Sequence, residues 1–227
     1  MKAIALLSGG QDSTTALAWA VKEFGQDEVL ALSINYGQRH VAELEAASFI
    51  AGMLKVKHET MNIPAFGHAS LSMLTKSDGS VSGDSEFNIA LPASFVPARN
   101  ALFLTLAAGV AARFHVRDIV MGVCQTDYSG YPDCRRDFID SMEESLSLAL
   151  GMGKSGGLSI HTPLMFKTKA ETIHLIQRLQ AEYLLGFTLT CYEGKTPPCQ
   201  VCPACKLRAK GFQEAGVKDP LLNEVQF

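Results

Sequence analysis

Apolar residues in this chain come in short blocks separated by stretches that alternate on a helical period. The run from about Lys2 to Leu7 predicts a buried strand. After it, Leu17, Val21 and Phe24 recur at helical spacing, predicting a helix from about Ser13 to Phe24. Val29 to Asn35 is a second buried strand with β-branched residues near both ends. A second helix begins near Val41, with Leu44, Ala47, Ala51 and Leu54 on one face. Lys57 to Asn62 predicts a weaker strand that Pro64 stops.

From Pro64 to Pro97 the periodicity dissolves into turn formers such as Ser77-Asp78-Gly79-Ser80, as expected of a lid, a binding loop or a disordered segment. Ala98 to Phe114 reads as an apolar helix and Asp118 to Gly122 as a short strand. A polar and aromatic loop, Val123 to Asp133, leads to a helix from about Cys134 to Leu150. Leu158 to Thr162 closes the strand set, and Thr168 to Glu171 fits a capping box. Strands alternating with helices in this way predict a doubly wound, mostly parallel α/β sheet.

The 227 residues suffice for one full core plus a small appendage. A formal charge of −3 argues against a broad grip on nucleic acid, which needs a concentrated basic face. The N-terminal apolar run is too short for a signal peptide and no stretch is long enough for a bilayer span, so no membrane partner and a cytoplasmic location are expected.

The candidate chemistry begins at Ser8-Gly9-Gly10-Gln11-Asp12-Ser13-Thr14, between the first strand and the first helix. A helix N-terminus presents unpaired N–H groups and the positive end of its dipole, which suits an anion. Glycine lets a phosphate approach the main chain. Neither G-x-G-x-x-G nor a Lys-Ser/Thr pair is present, and Gly153-Lys154-Ser155 lacks the strand and glycine of a P-loop. A loop rich in amides and hydroxyls without a lysine suits pyrophosphate, and so AMP transfer more than γ-phosphoryl transfer.

Four of the six cysteines crowd into Cys191, Cys199, Cys202 and Cys205. Two-residue gaps let neighbouring thiolates face one ion, and four thiolates close the shell of a structural zinc. A redox pair or an iron–sulfur cluster are the rival readings. Cys124 and Cys134 stand apart, with burial as the plain reading of each.

The Ser-Gly-Gly-x-Asp-Ser loop resembles that of the PP-loop ATP pyrophosphatases. Together with Val96-Pro97-Ala98-Arg99-Asn100, Asp127 to Arg135 and Cys202 to Arg208, it makes the chain similar to the 7-cyano-7-deazaguanine synthase family. The likeness runs from the first strand to the last helix. It implies an adenine nucleotide alpha-hydrolase-like fold, with residues 1–188 as the nucleotide-binding domain and 189–227 as a zinc-binding segment with its helix. It also implies a homodimer, and an ATP-dependent conversion of 7-carboxy-7-deazaguanine and ammonia to a nitrile.

Under that resemblance the loop holds pyrophosphate, and Asp12 either ligates the Mg²⁺ that accompanies ATP or caps its helix. Arg99 and Lys169 supply positive charge for phosphate or the transition state, with an ordinary surface cation as the alternative for each, whereas Lys167 reads as a surface cation. Asn100 reads as the start of its helix. A carboxylate can accept both donors of a guanine-like edge, which makes Asp127 and Asp133 candidates, with Tyr131 stacking; helix capping and turn packing are the alternatives. Arg135 and Arg136 sit against a helix dipole, which suits an anionic ligand or plain surface charge. A PP-loop tRNA-modifying ligase or thiolase and a zinc-knuckle nucleic-acid adaptor remain as other functional readings.

Overall fold

The computed structural model describes residues 1–38, 42–66, 91–92, 94–126, 130–153 and 156–222. Five strands, β1 (Ala3–Leu6), β2 (Val29–Asn35), β3 (Lys57–Asn62), β4 (Asp118–Val120) and β5 (Ser159–His161), form one parallel sheet in the order β3-β2-β1-β4-β5. The helices are α1 (Gln11–Phe24), α2 (Ala42–Met53), α3 (Arg99–Arg113), α4 (Arg136–Ala149), α5 (Lys169–Arg178) and α6 (Pro203–Ala215).

Side chains alternate across the sheet as a period of two requires. Ile4, Leu6, Leu30, Leu32 and Ile119 face α3 and α4, where Leu104, Ala107, Ala111 and Ile139 are buried. Ala3, Ala5, Val29, Ala31 and Val120 face α1, α2, α5 and α6, with Leu17, Ile50, Ile173 and Phe212 in the same cluster. The chain runs outward from β1 to β3 and then restarts at β4 on the other side of β1, with helices on both faces and a crevice where the order reverses. Among the described residues no helix is long and apolar enough to cross a membrane.

The strands and helices lie close to the predicted ones, and the differences have local causes. Helix α1 starts at Gln11 instead of Ser13, with Gly10 as its N-cap and no side-chain cap. The Ser13 and Thr14 hydroxyls donate to the Gly10 carbonyl at 3.1 and 2.8 Å, so they tie the loop to the first turn. Helix α4 starts at Arg136, because a 3-10 turn at Pro132–Cys134 intervenes. The capping box forms: Glu171 N–H donates to Thr168 Oγ1 at 3.2 Å, and Thr168 N–H to Glu171 Oε2 at 2.7 Å. The predicted start of α2 at Val41 and most of the 64–97 loop lie outside the described residues.

The C-terminal run is fastened to the body by Arg208 of α6. Its Nε and Nη2 donate to Asp219 at 2.7 Å each, and Nη2 also to the Leu185 carbonyl at 2.8 Å. Nη1 donates to the hydroxyls of Thr188 and Thr190 at 2.7 and 3.0 Å. These bonds use all five guanidinium hydrogens. Both partners of the ion pair are buried, so removing one leaves an uncompensated charge. Arg208→Met is expected to cost about 3–5 kcal/mol in a urea titration, while Lys206→Ala, on the exposed side of the same helix, should shift stability by no more than about 0.5 kcal/mol.

Candidate active site

The carboxyl ends of β1, β2 and β4 open into a cavity of about 310 Å³, within the size range of small-molecule sites. Leu6 and Ser8 of the β1 end, Ile34 and Tyr36 of the β2 end, and Met121 and Val123 of the β4 end contribute to its wall. Gly10, Gln11, Asp12 and Ser13 line it too, so the N-terminus of α1 faces the space. Ser33, fully buried beneath, donates from Oγ to the Leu7 carbonyl at 2.7 Å and shares a 2.8 Å hydrogen bond with His58 Nε2.

Gly9 adopts φ of 86°. A Cβ there would sit 2.2 Å from the Glu43 carbonyl oxygen, so a residue with a side chain would force the loop away from α2. The Gly9 carbonyl accepts the Leu189 N–H at 2.9 Å. The loop is thus held between α2 on one side and the cysteine-bearing segment on the other. Gly122 plays a similar part after β4, because a Cβ there would lie 2.7 Å from the Asp12 carbonyl oxygen.

The polar groups of the loop are not all directed at a ligand. Ser8 and Ser13 hydroxyls lie 3.0 Å apart, and Ser8 N–H donates to Ser13 Oγ at 3.1 Å. The Thr14 and Thr15 hydroxyls donate to main-chain carbonyls, at 2.8 and 3.0 Å. Gln11 is buried in the cavity wall, and its Nε2 has no protein partner.

Asp12 does not cap α1. Its carboxylate accepts two hydrogen bonds from Lys169 Nζ, at 2.9 and 2.7 Å. Lys169 is the first residue of α5, brought there by the capping box, and its stem runs against Gly211 of α6. A Cβ at 211 would lie 2.3 Å from Lys169 Cγ. The ammonium and carboxylate both line the cavity, which gives it a fixed dipole beside the N-terminus of α1.

Arg99 opens α3 after Ala98, which takes the left-handed φ of 60°. Burial disfavours its charge, but Tyr36, Asp133, Tyr131 and Cys134 around it more than offset this and hold the guanidinium above its usual range. Its Nε is buried without a protein partner. Asn100, the second residue of α3, donates from Nδ2 to the Asp133 carbonyl at 3.1 Å and to Cys134 Sγ at 3.3 Å.

Asp133 is buried with its Oδ2 accepting the Asn100 N–H at 3.2 Å. It therefore serves the start of α3 and not its own helix. Burial raises its carboxyl above the usual range, against the opposing pull of Arg99. Tyr131 lines the cavity, but its hydroxyl is 2.6 Å from Ser94 Oγ and its ring packs on Phe95 at 5.4 Å. Arg135 is exposed and outside the cavity wall, while Arg136 pairs with Asp140 at 2.6 Å and donates to Thr162 Oγ1 at 3.0 Å. The structure thus does not bring either arginine into the cavity. Asp127 lies outside the described residues.

Sequence reasoning missed Glu43, Tyr36 and Tyr192, all in the cavity wall. Tyr36 follows a strand that ends in polar residues, and Tyr192 adjoins the first clustered cysteine, signals that were present but unspecific. Burial pushes the Glu43 carboxyl up to about 7, with Arg99 acting in the other direction. Burial and a hydrogen bond to Tyr131 keep the Tyr192 hydroxyl protonated well beyond its usual range.

Cys191, Cys199, Cys202 and Cys205 bring their sulfurs within 4.8 Å of one another, as a group that could hold a metal ion. Cys199 Sγ and Cys205 Sγ are 3.9 Å apart, close to the edge of about 3.8 Å expected of four thiolates around one ion with bonds near 2.3 Å. The four thiols are unbridged. Hydrogen bonds from the main chain at 202 and 201 lower the Cys199 thiol to about 6, whereas burial raises the Cys202 and Cys205 thiols. The same segment supplies Leu189, Thr190, Tyr192, Ala204 and Leu207 to the cavity wall.

The family model described as queuosine biosynthesis protein QueC matches residues 2–216. A 7-cyano-7-deazaguanine synthase from Chromobacterium violaceum is 45% identical over 225 residues, covering 99% of this chain and 94% of the relative. One of the same name from Laribacter hongkongensis is 48% identical over 223 residues, covering 98% and 95%. The structure of NMN synthetase from Francisella tularensis is similar in fold, with a TM-score of 0.51 at 15% identity over 96% of this chain and 78% of that one. A family match across nearly the whole length, joined to relatives of this identity, shows that the chain belongs to the QueC family.

Proposed function

We propose that this chain is an ATP-dependent carbon–nitrogen ligase that converts 7-carboxy-7-deazaguanine and ammonia to 7-cyano-7-deazaguanine for queuosine biosynthesis. The observation that carries the reading is the cavity at the sheet's switch point, where the α1 N-terminus, the Asp12–Lys169 pair and Arg99 converge. Near full-length relatives that are 7-cyano-7-deazaguanine synthases support the product of this reading.

A carboxylate is a poor electrophile, and joining it to AMP creates a good leaving group. Attack of the substrate carboxylate on the α-phosphate releases pyrophosphate, and ammonia then displaces AMP to give an amide. Attack of the amide oxygen on a second ATP, followed by loss of AMP, leaves the nitrile. One phosphate-holding loop serves both rounds because both are attacks at the same phosphorus. Within the Ser8 to Thr14 loop the main-chain donors come from between its ends, because the Ser8 and Thr14 N–H groups are bonded within the loop, and Gln11 Nε2 is a further donor without an acceptor among the described residues. Arg99 and Lys169 stabilise the charge that develops on the phosphoryl oxygens.

Mg²⁺ comes with ATP on this reading. Asp12 offers it hard oxygens, each with lone-pair capacity beyond the bond to Lys169. Zinc is the ion that four thiolates at this spacing fit best, in a closed shell with a structural role. Asp133 and Tyr131 shape the wall of the substrate site by holding Arg99 and the start of α3, and Asp127 remains the proposed partner of the base edge. Arg135 is exposed and is left with no substrate contact. Residues 1–188 form the nucleotide-binding unit and 189–227 the metal-held segment, in a cytoplasmic homodimer.

Purified protein given ATP, Mg²⁺, ammonium and the carboxy-deazaguanine should yield the nitrile and AMP by mass spectrometry; thiolated tRNA in place of the nitrile would sink the assignment. Lys169→Met should lower kcat by about 10²–10³-fold while the protein still melts cooperatively. Metal analysis should find one zinc per chain, and Cys202→Ser should lower the melting temperature together with the zinc content.

A further inference from the structure

We propose that Glu43 is a catalytic residue that takes the proton from the incoming nitrogen, an inference that rests on the ligase reading above. The groups that hold phosphate cannot meet that need. Nitrogen enters as ammonia and ends as a nitrile, so it must give up all three hydrogens. A general base placed in the cavity is the direct way to collect them.

Two carboxyls among the described residues line the cavity, Asp12 and Glu43. Asp12 has both oxygens on the Lys169 ammonium. Asp133 is turned to the Asn100 amide behind the wall. Glu43 is in the first turn of α2, whose main chain meets Gly9 so closely that no side chain fits between them. Its position beside the phosphate loop is therefore set by the backbone. The titratable groups that act on it are Arg99 of α3 and Tyr36 after β2. Burial holds its carboxyl near 7, the range in which a base is both unprotonated and strong enough to work at neutral pH.

In the first round the lone pair of ammonia forms the C–N bond at the acyl carbon, and Glu43 takes a proton from the cationic adduct. The C–O bond to AMP then breaks, with AMP leaving on its electron pair. The proton passes to solvent before the next round. Adenylation of the amide oxygen leaves a cationic imidate with two N–H bonds. Glu43 takes the first proton to give the neutral imidate and passes it to solvent, then takes the second as those electrons complete the C≡N bond and the second AMP departs. Arg99, across from Glu43, stabilises the phosphoryl charge as each AMP leaves.

The test compares ammonia with hydroxylamine as the attacking amine across pH, each rate divided by the free-amine concentration. Hydroxylamine is a far weaker base, so its adduct gives up its proton to water unaided. For the wild type, the ammonia rate should fall as pH drops through about 7, and hydroxamate formation should lack that limb. Glu43→Gln should slow amination about 10²–10⁴-fold and leave substrate-dependent ATP–pyrophosphate exchange and hydroxamate formation near wild type.

Unchanged ammonia rates in Glu43→Gln would overturn the inference alone. Joint loss of exchange and amination would overturn it as well, by placing Glu43 in adenylation. If that variant does not fold, the two wild-type pH profiles decide: a limb with ammonia only supports the inference, and coincident profiles overturn it. Absence of any exchange in the wild type would instead defeat the ligase reading on which the inference rests.

Discussion

The meeting of three chain segments at Gly9 is the constraint on which the site depends. Its φ of 86° turns the chain out of β1, the Glu43 carbonyl closes one side, and the Leu189 N–H binds its carbonyl on the other. Any larger residue would separate α2 from the sheet edge. Because the segment from 189 onwards also carries the four cysteines, whatever holds those sulfurs together indirectly fixes the loop. The loop before α1 and the cysteine-bearing segment are parts of one wall.

Charge in that wall is arranged in layers. Lys169 is neutralised by Asp12 at hydrogen-bond distance, whereas Arg99 is surrounded by groups that favour its charge. Its buried Nε still has no protein acceptor. A buried donor without an acceptor is costly. Arg99 lines the cavity at the α1 N-terminus, where an anion would offset that cost.

Most of the fold could be read from the chain because each strand was bounded by a local signal. Two segments, the apolar Val29–Asn35 and the polar Lys57–Asn62, match the observed strands in full, and the capping box at Thr168 formed as its spacing required. The cysteine spacing and the loop before α1 were equally plain, since few other structures need those residues in that order. What could not be read was pairing at a distance. Asp12 looked like a cap or a metal ligand, and only the fold brings Lys169 to it across 157 positions. Asp133 looked like the cap of the next helix, but a 3-10 turn moved that helix on and left the carboxylate to α3. Arg135 looked like an anion contact because the dipole rule applies to sequence neighbours; it is instead the extended N-cap of α4 and is exposed. Glu43 carried no signal at all, because its role comes from the approach of α2 to Gly9.

The glycine at position 211 lies inside a helix, where flexibility is of no use. What it provides is clearance: the Lys169 stem passes so near α6 that the width of a single methyl group separates a seated ammonium from a displaced one. The cysteine-bearing helix therefore acts as a gauge that sets how far the lysine can reach, and drift in that helix would be felt first as a misplaced positive charge.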